Sequence, residues 1–217
     1  MAHQWLQHSH AAGRSAGNEG INFPRIYDAL IFLMTRGRDR VYRAAVLDLA
    51  GVAAGSDVLD MGCGTGTQAV ESWRRVQTGG SVTAVDISES MLSAARRKAA
   101  RAGCDIAFHA ADAASLPFPD ASFDVVTMTT VLHMIPEDRR QPSLGEAARV
   151  LRRGGRLLLI DYAGAIEGRR HLMAKHGRHG QFDLDAVQPM LAAAGLEPAG
   201  SGSLGWLSLH FLRAIKR

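Results

Sequence analysis

The run VLDMGCGTG, residues 58–66, constrains this chain more than any other stretch of it. Its first half is apolar and reads as a buried strand. Asp60 stands near the strand's end, and Gly62, Gly64 and Gly66 follow at every second position. Glycine takes positive φ at little steric cost and lets a ligand lie close against the main chain. The spacing therefore predicts a tight turn that leaves a strand and opens a helix. Such a helix presents unpaired N–H groups at its start, and a carboxylate beside the turn can hold a cation or a hydroxyl. Together these features fit a nucleoside-bearing ligand with an amino-acid tail.

The glycine spacing also discriminates between ligands. A dinucleotide fingerprint requires G-x-G-x-x-G, whereas here the sixth position is Thr67. A phosphate-binding P-loop ends in G-K-[ST], which is absent from this turn.

The 217 residues suffice for one full α/β domain and are few for two. With 47% hydrophobic and 21% charged residues, the composition is that of a globular domain with a usable core. Two cysteines, Cys63 and Cys104, form neither a disulfide framework nor a metal pattern, so no metal site and a reducing, cytoplasmic setting are expected. No apolar run approaches the ~18 residues of a membrane span. Residues 1–22, rich in His, Ala, Gly and Ser, read as a loose tail; residues 23–217 read as a single domain.

Alternating helical and strand patterns organise that domain. Phe23–Met34 and Asp39–Gly51 have helical spacing and read as lid helices over residues 23–51. Strands are expected at Asp57–Met61, Ser81–Asp86, Asp105–His109, Phe123–Met128 and Arg156–Asp161. Helices fall near Gly66–Gln77, Glu89–Ala102 and Arg139–Leu151, with Ser88 placed as an N-cap. A further helix, Asp183–Ala194, precedes strands near Glu197–Ser203 and Leu207–Ile215. These last two are too close for an intervening helix and should form an antiparallel hairpin. Repeated βα units imply right-handed crossovers and a doubly wound, mostly parallel sheet. Ligands in such sheets bind beyond the carboxyl ends of the strands.

Three acids follow three successive strands. Asp60 ends the first and Asp86 the second, where a carboxylate can accept from both ribose hydroxyls. Asp112 lies just past the third, placed to accept from an exocyclic amine while Ala113 offers its N–H. An Asp at a strand end is also a common turn former; the joint pattern with the glycine turn carries the weight.

The segments VLDMGCGTG, VTAVDIS, AADAASLPFPDASFDVV and RVLRRGGRLLLID resemble the class I S-adenosylmethionine-dependent methyltransferases, over most of the chain from Tyr27 onward. FPRIYDAL, LPFPDASFDVV and VLHMIP look most like the small-molecule subgroup near the ubiquinone/menaquinone-biosynthesis methyltransferases. The resemblance implies a seven-stranded Rossmann-like sheet with an antiparallel last strand, S-adenosyl-L-methionine as cofactor and S-adenosyl-L-homocysteine as product. Carried onto this sequence, it puts Asp60, Gly62, Cys63, Gly64 and Gly66 around the methionine part and Asp86 on the ribose. Ile87 would pack on the adenine, Asp112 and Ala113 would meet its edge, and Met128 and Thr129 would line the sulfonium end. Tyr27 matches a position that closes over the cofactor. Residues 162–182, with the unusual KHGRHG, form a shorter cover than in quinone-biosynthesis relatives.

Transfer of a methyl from a sulfonium needs alignment more than a strong catalyst. A base is needed where the acceptor arrives protonated. His133 is the best-placed candidate, against a purely packing role; Tyr162, after the fifth strand, can face the acceptor. Arg36, Arg38, Arg40 and Arg43 fit an anionic substrate or peripheral contact with an acidic membrane surface, against an ordinary basic helix; Ile31–Met34 beside them fit a hydrophobic or amphiphilic small-molecule acceptor, against simply docking the N-terminal helix. Arg96, Arg97, Lys98 and Arg101 read as a solvated helix surface. The stretch after the fourth strand, MTTV, lacks the Asn/Asp-Pro-Pro-aromatic tetrapeptide of many RNA enzymes, so no nucleic-acid partner is expected. An NAD(P)-dependent oxidoreductase and a non-catalytic nucleoside-binding module remain the alternatives; oligomeric state is unreadable.

Overall fold

The computed structural model describes residues 39–77, 79–162, 186–205 and 209–217. Tyr27, Ile31–Met34, Arg36, Arg38 and KHGRHG lie outside these. Chain order runs α1 (Asp39–Ala50), β1 (Asp57–Met61), α2 (Thr67–Val76), β2 (Ser81–Asp86), α3 (Glu89–Ala102), β3 (Ala107–Ala110) and β4 (Phe123–Thr129). A 3₁₀ turn, Leu132–Met134, leads into α4 (Glu137–Val150) and β5 (Leu151–Tyr162). α5 (Val187–Ala193), β6 (Leu196–Ser203) and β7 (Leu209–Lys216) complete the set.

One seven-stranded sheet in the order β3-β2-β1-β4-β5-β7-β6 results. β1 to β5 are parallel, as the central apolar runs predict, and β7 pairs antiparallel with both β5 and β6. The expected C-terminal hairpin is thus present, with β7 inserted beside β5 and β6 forming the edge. Successive strand side chains point to opposite faces, and the core divides accordingly. Val58, Val125, Leu158 and Ile160 pack with Val46, Leu47 of α1 and Ala69 of α2. Leu59, Val126, Leu157 and Leu159 pack on the other face with Leu144 and Ala147 of α4 and Leu191 of α5.

The starts of two parallel strands differ from the sequence reading by two residues or more. β3 starts at Ala107 because Thr83 of β2 first finds its partner there. β5 starts at Leu151, ahead of the Gly154–Gly155 pair, because Leu151 already pairs with Phe123 before an irregularity in register. Pro189 sits in the first turn of α5, where a missing N–H costs no helical bond. The amino end of the sheet is tied by Arg152, which bridges Asp57 (2.9 Å) and Asp124 (2.7 Å) across three strands.

Candidate cofactor and acceptor site

The order reverses between β1 and β4, and the carboxyl ends of these strands carry the predicted residues. Asp60 is fully buried, and Thr127 across the β1–β4 ladder donates its hydroxyl to Asp60 Oδ1 at 3.0 Å. Asp60 Oδ2 is buried with no hydrogen-bond partner. Burial lifts this carboxyl to about 6; the Thr127 bond and Arg43 hold it down, while Asp86 adds to the rise. A buried carboxylate oxygen in this state favours a cationic group brought against it.

The turn that follows is held by backbone bonds and by the second strand's acid. Gly62 and Cys63 N–H both donate to Val85 O, at 2.8 and 2.9 Å. Gly64 N–H donates to Asp86 Oδ2 at 2.8 Å, and Ser88 N–H to Asp86 Oδ1 at 2.8 Å. Asp86 therefore shapes the turn as well as facing it. Burial raises its carboxyl above the ordinary range, against the pull of the Ser88, Gly64 and Ile87 N–H bonds. Gly62 (φ +74°) and Gly66 (φ +75°) are required twice over: a Cβ on Gly62 would lie 2.3 Å from Val131 Cγ2, and one on Gly66 2.7 Å from Ala95 Cβ. Burial, with Asp60 and Asp86 close by, pushes the Cys63 thiol well upward, so it stays a thiol.

Ile87, next to Asp86 in the chain, is 54% exposed. Asp112 accepts from Ala114 N–H at 2.9 Å through Oδ1 and pairs with Arg139 at 2.8 Å through Oδ2. Ala113 packs against the core cluster below. The Met128 side chain points into that same core and is fully buried, so only its backbone and the half-buried Thr129 face the rim. Gln68, 3% exposed at the start of α2, has neither amide atom hydrogen-bonded.

Beyond β4 the chain turns through Thr130 (φ +53°), and Val131 covers Gly62. This carries His133 to the end of β5. His133 N–H donates to Asp161 Oδ2 at 3.1 Å, and His133 Nδ1 lies 2.7 Å from Asp161 Oδ1. The Tyr162 ring stands edge-on to His133 with centroids 5.4 Å apart. Asp161 was not among the predicted site residues. It ends its strand as Asp60 and Asp86 end theirs, and that shared position was the available signal.

Two basic residues reach inward, one of them, Lys98, from a helix surface read as solvated. Arg43 turns inward, with a side chain 11% exposed, pairs with Asp39 at 3.0 Å and acts on Asp60. Lys98 reaches from α3 to the glycine turn and donates to Thr65 (3.0 Å) and Thr67 (2.5 Å). Among the described residues there is no cluster of three or more His, Cys, Asp or Glu suited to a metal, and no helix long and apolar enough to cross a membrane.

Residues 58–155 match the family model described as "Methyltransferase domain". The ubiquinone/menaquinone biosynthesis C-methyltransferase UbiE of Escherichia fergusonii is 36% identical over 142 residues, 64% of this chain and 56% of the relative. That of Hahella chejuensis is 38% identical over 139 residues, 63% of this chain and 55% of the relative. The chain thus spans little more than half the length of these curated relatives. Among solved structures, a SAM-dependent methyltransferase from Aquifex aeolicus superposes with TM-score 0.69 at 23% identity, covering 81% of this chain and 89% of that one. The [4+2]-cyclase SpnF superposes with TM-score 0.70 at 22% identity, covering 83% and 81%. These structures establish the fold, which evidently serves more than one chemistry.

Proposed function

We propose that this chain carries a class I S-adenosylmethionine-dependent methyltransferase domain and transfers a methyl group from S-adenosylmethionine to a small-molecule or lipid-like acceptor. The observation that carries this reading is the unpartnered, buried Asp60 Oδ2 beside the glycine turn. It fits the ammonium of an amino-acid tail, and the glycine cradle leaves no room for a Cβ on its Val131 side. Asp86 Oδ1 and Oδ2 each keep a lone pair for a ribose hydroxyl beyond the backbone bond each already accepts. Exposed Ile87 offers an apolar face to an adenine, with Asp112 and Ala113 at its edge. Gly62, Cys63, Gly64, Gly66 and Thr129 complete the cradle, and Tyr27 is proposed to close over it.

Bound there, the cofactor supplies an electrophilic methyl on a sulfonium. The chain's part is to hold the acceptor in line, keep water out and take up a proton. Alignment is worth roughly 7–11 kcal/mol of barrier. His133, with Tyr162 against its ring, is proposed as the group that receives the proton. The carbon acceptor in the name of the curated relatives is one candidate class, beside phenols, thiols and amines.

Calorimetric titration with S-adenosylhomocysteine tests the cofactor site. Saturable binding is expected, weakened about 100-fold or more by Asp86→Ala; binding of a nicotinamide dinucleotide instead would overturn the reading. Release of S-adenosylhomocysteine across a panel of quinols, phenols, thiols and amines identifies the acceptor. His133→Ala should slow that release about 10²–10⁴-fold with cofactor affinity unchanged.

A further inference from the structure

We propose that Asp161 is a positioning residue that fixes His133 in the tautomer protonated at Nδ1, and hence that the acceptor is a protic nucleophile. The inference rests on the methyltransferase reading above and deepens it. Asp161 has no exposed surface and stands near the carboxyl end of β5. Its carboxylate sits among three donors on two residues. Oδ2 accepts His133 N–H at 3.1 Å; Oδ1 accepts Tyr162 N–H at 2.9 Å and lies 2.7 Å from His133 Nδ1. Backbone and ring of the same histidine are thus gripped by the two oxygens of one side chain. That grip fixes the ring's rotation as well as its place.

A carboxylate only accepts. Nδ1 at 2.7 Å must therefore carry the hydrogen, and Nε2 becomes the basic nitrogen. Val131, two residues before His133, packs over Gly62, which sets this turn beside the glycine cradle. The Tyr162 ring, edge-on at 5.4 Å, limits rotation from another side.

The step balances as follows. The acceptor's lone pair forms the new bond to the methyl carbon, and the electrons of the S–CH₃ bond return to sulfur. The acceptor's proton passes to His133 Nε2, and the imidazolium so formed is stabilised by Asp161 at Nδ1. An acceptor without a proton to lose, such as a thioether or a tertiary amine, gains nothing from this arrangement. A phenol, a quinol, a thiol or a primary amine does.

Nitrogen-15 correlation spectra of the histidine side chains, recorded with S-adenosylhomocysteine bound, test the inference without a known acceptor. In its neutral form, His133 is expected to show a protonated Nδ1 and an unprotonated Nε2. Asp161→Asn, which can donate to Nδ1, should move the hydrogen to Nε2 while cofactor affinity stays within about threefold. A wild-type His133 with its hydrogen on Nε2 overturns the assignment, whatever the variant does. In turnover, thiophenol or 1,4-naphthoquinol should be methylated at least tenfold faster than dimethyl sulfide or trimethylamine, and Asp161→Asn should lower kcat about 10²–10⁴-fold with little change in KM. Methylation of dimethyl sulfide as fast as of the protic compounds refutes the acceptor assignment. Loss of S-adenosylhomocysteine binding in the wild type would instead strike the cofactor reading, which keeps the two failures distinct.

Discussion

Gly62→Ala puts the glycine cradle to a quantitative test. Two costs add at this position. The backbone is left-handed at φ +74°, which costs an L residue roughly 1–2 kcal/mol. The new Cβ would also lie 2.3 Å from Val131 Cγ2 and 2.8 Å from Val131 Cβ. Because Cβ itself is too close, rotating the valine side chain gives no escape, and the segment after β4 must move. Overpacking of this kind costs roughly 1–3 kcal/mol. The sum, about 2–5 kcal/mol, is a large fraction of the ~5–15 kcal/mol that holds a domain folded. Urea unfolding followed by far-ultraviolet circular dichroism measures it, with the slope unchanged if the transition stays two-state. Val131→Ala in the same background removes the nearest atom but leaves Cβ, so the double variant should recover about 1 kcal/mol relative to the sum of the singles. Strict additivity, or a Gly62→Ala loss under about 1 kcal/mol, would refute the close-contact reasoning. Cofactor affinity should also fall, because Gly62 belongs to the cradle proposed to hold the cofactor's amino-acid tail.

Asp60 gives the molecule a pH signature. Its carboxyl stands at about 6 in the folded state against 3.8 ordinarily, so the folded protein binds the extra proton between these values. Stability should therefore fall as pH rises from about 4 to about 6 and level off above, by up to about 3 kcal/mol. The difference between wild type and Asp60→Asn across that range isolates the effect, and a flat difference would contradict it. Affinity for S-adenosylmethionine should rise over the same interval, since its ammonium needs the ionised carboxylate. Lys98→Met removes the bonds to Thr65 and Thr67 and should cost about 1–2 kcal/mol. By calorimetry this is a Tm lower by about 2–8 °C, and an unchanged Tm would return Lys98 to the surface.

The sheet was legible because its central strands are continuous apolar runs, buried on both faces. Asp60 and Asp86 were legible because each ends such a run beside a turn. The start of β5 was not, since Gly154–Gly155 reads as a stop and only the pairing of Leu151 with Phe123 carries the strand across it. Lys98 looks like a solvated charge from helix periodicity, which cannot say which neighbouring element comes within reach. Asp161 escaped for a related reason. Its meaning lies in His133, 28 positions away in sequence, brought to it by the parallel pairing of β4 and β5. Met128 shows the converse: adjacency to the rim in sequence does not aim a side chain there when the strand's alternation sends it inward.

The insertion of β7 between β5 and β6 has a consequence for biogenesis. During synthesis β5 emerges with β4 on one side and nothing on the other until Leu209–Lys216 arrives, after the whole intervening stretch has been made. At ~5–20 residues per second that is an interval of some seconds. Throughout it the Leu157–Ile160 run presents an open apolar ladder, the kind of template that recruits stray strands from other nascent chains. Chaperone demand should accordingly be concentrated in that late window of translation, and slow codons placed between β5 and β7 would lower soluble yield without altering the finished protein.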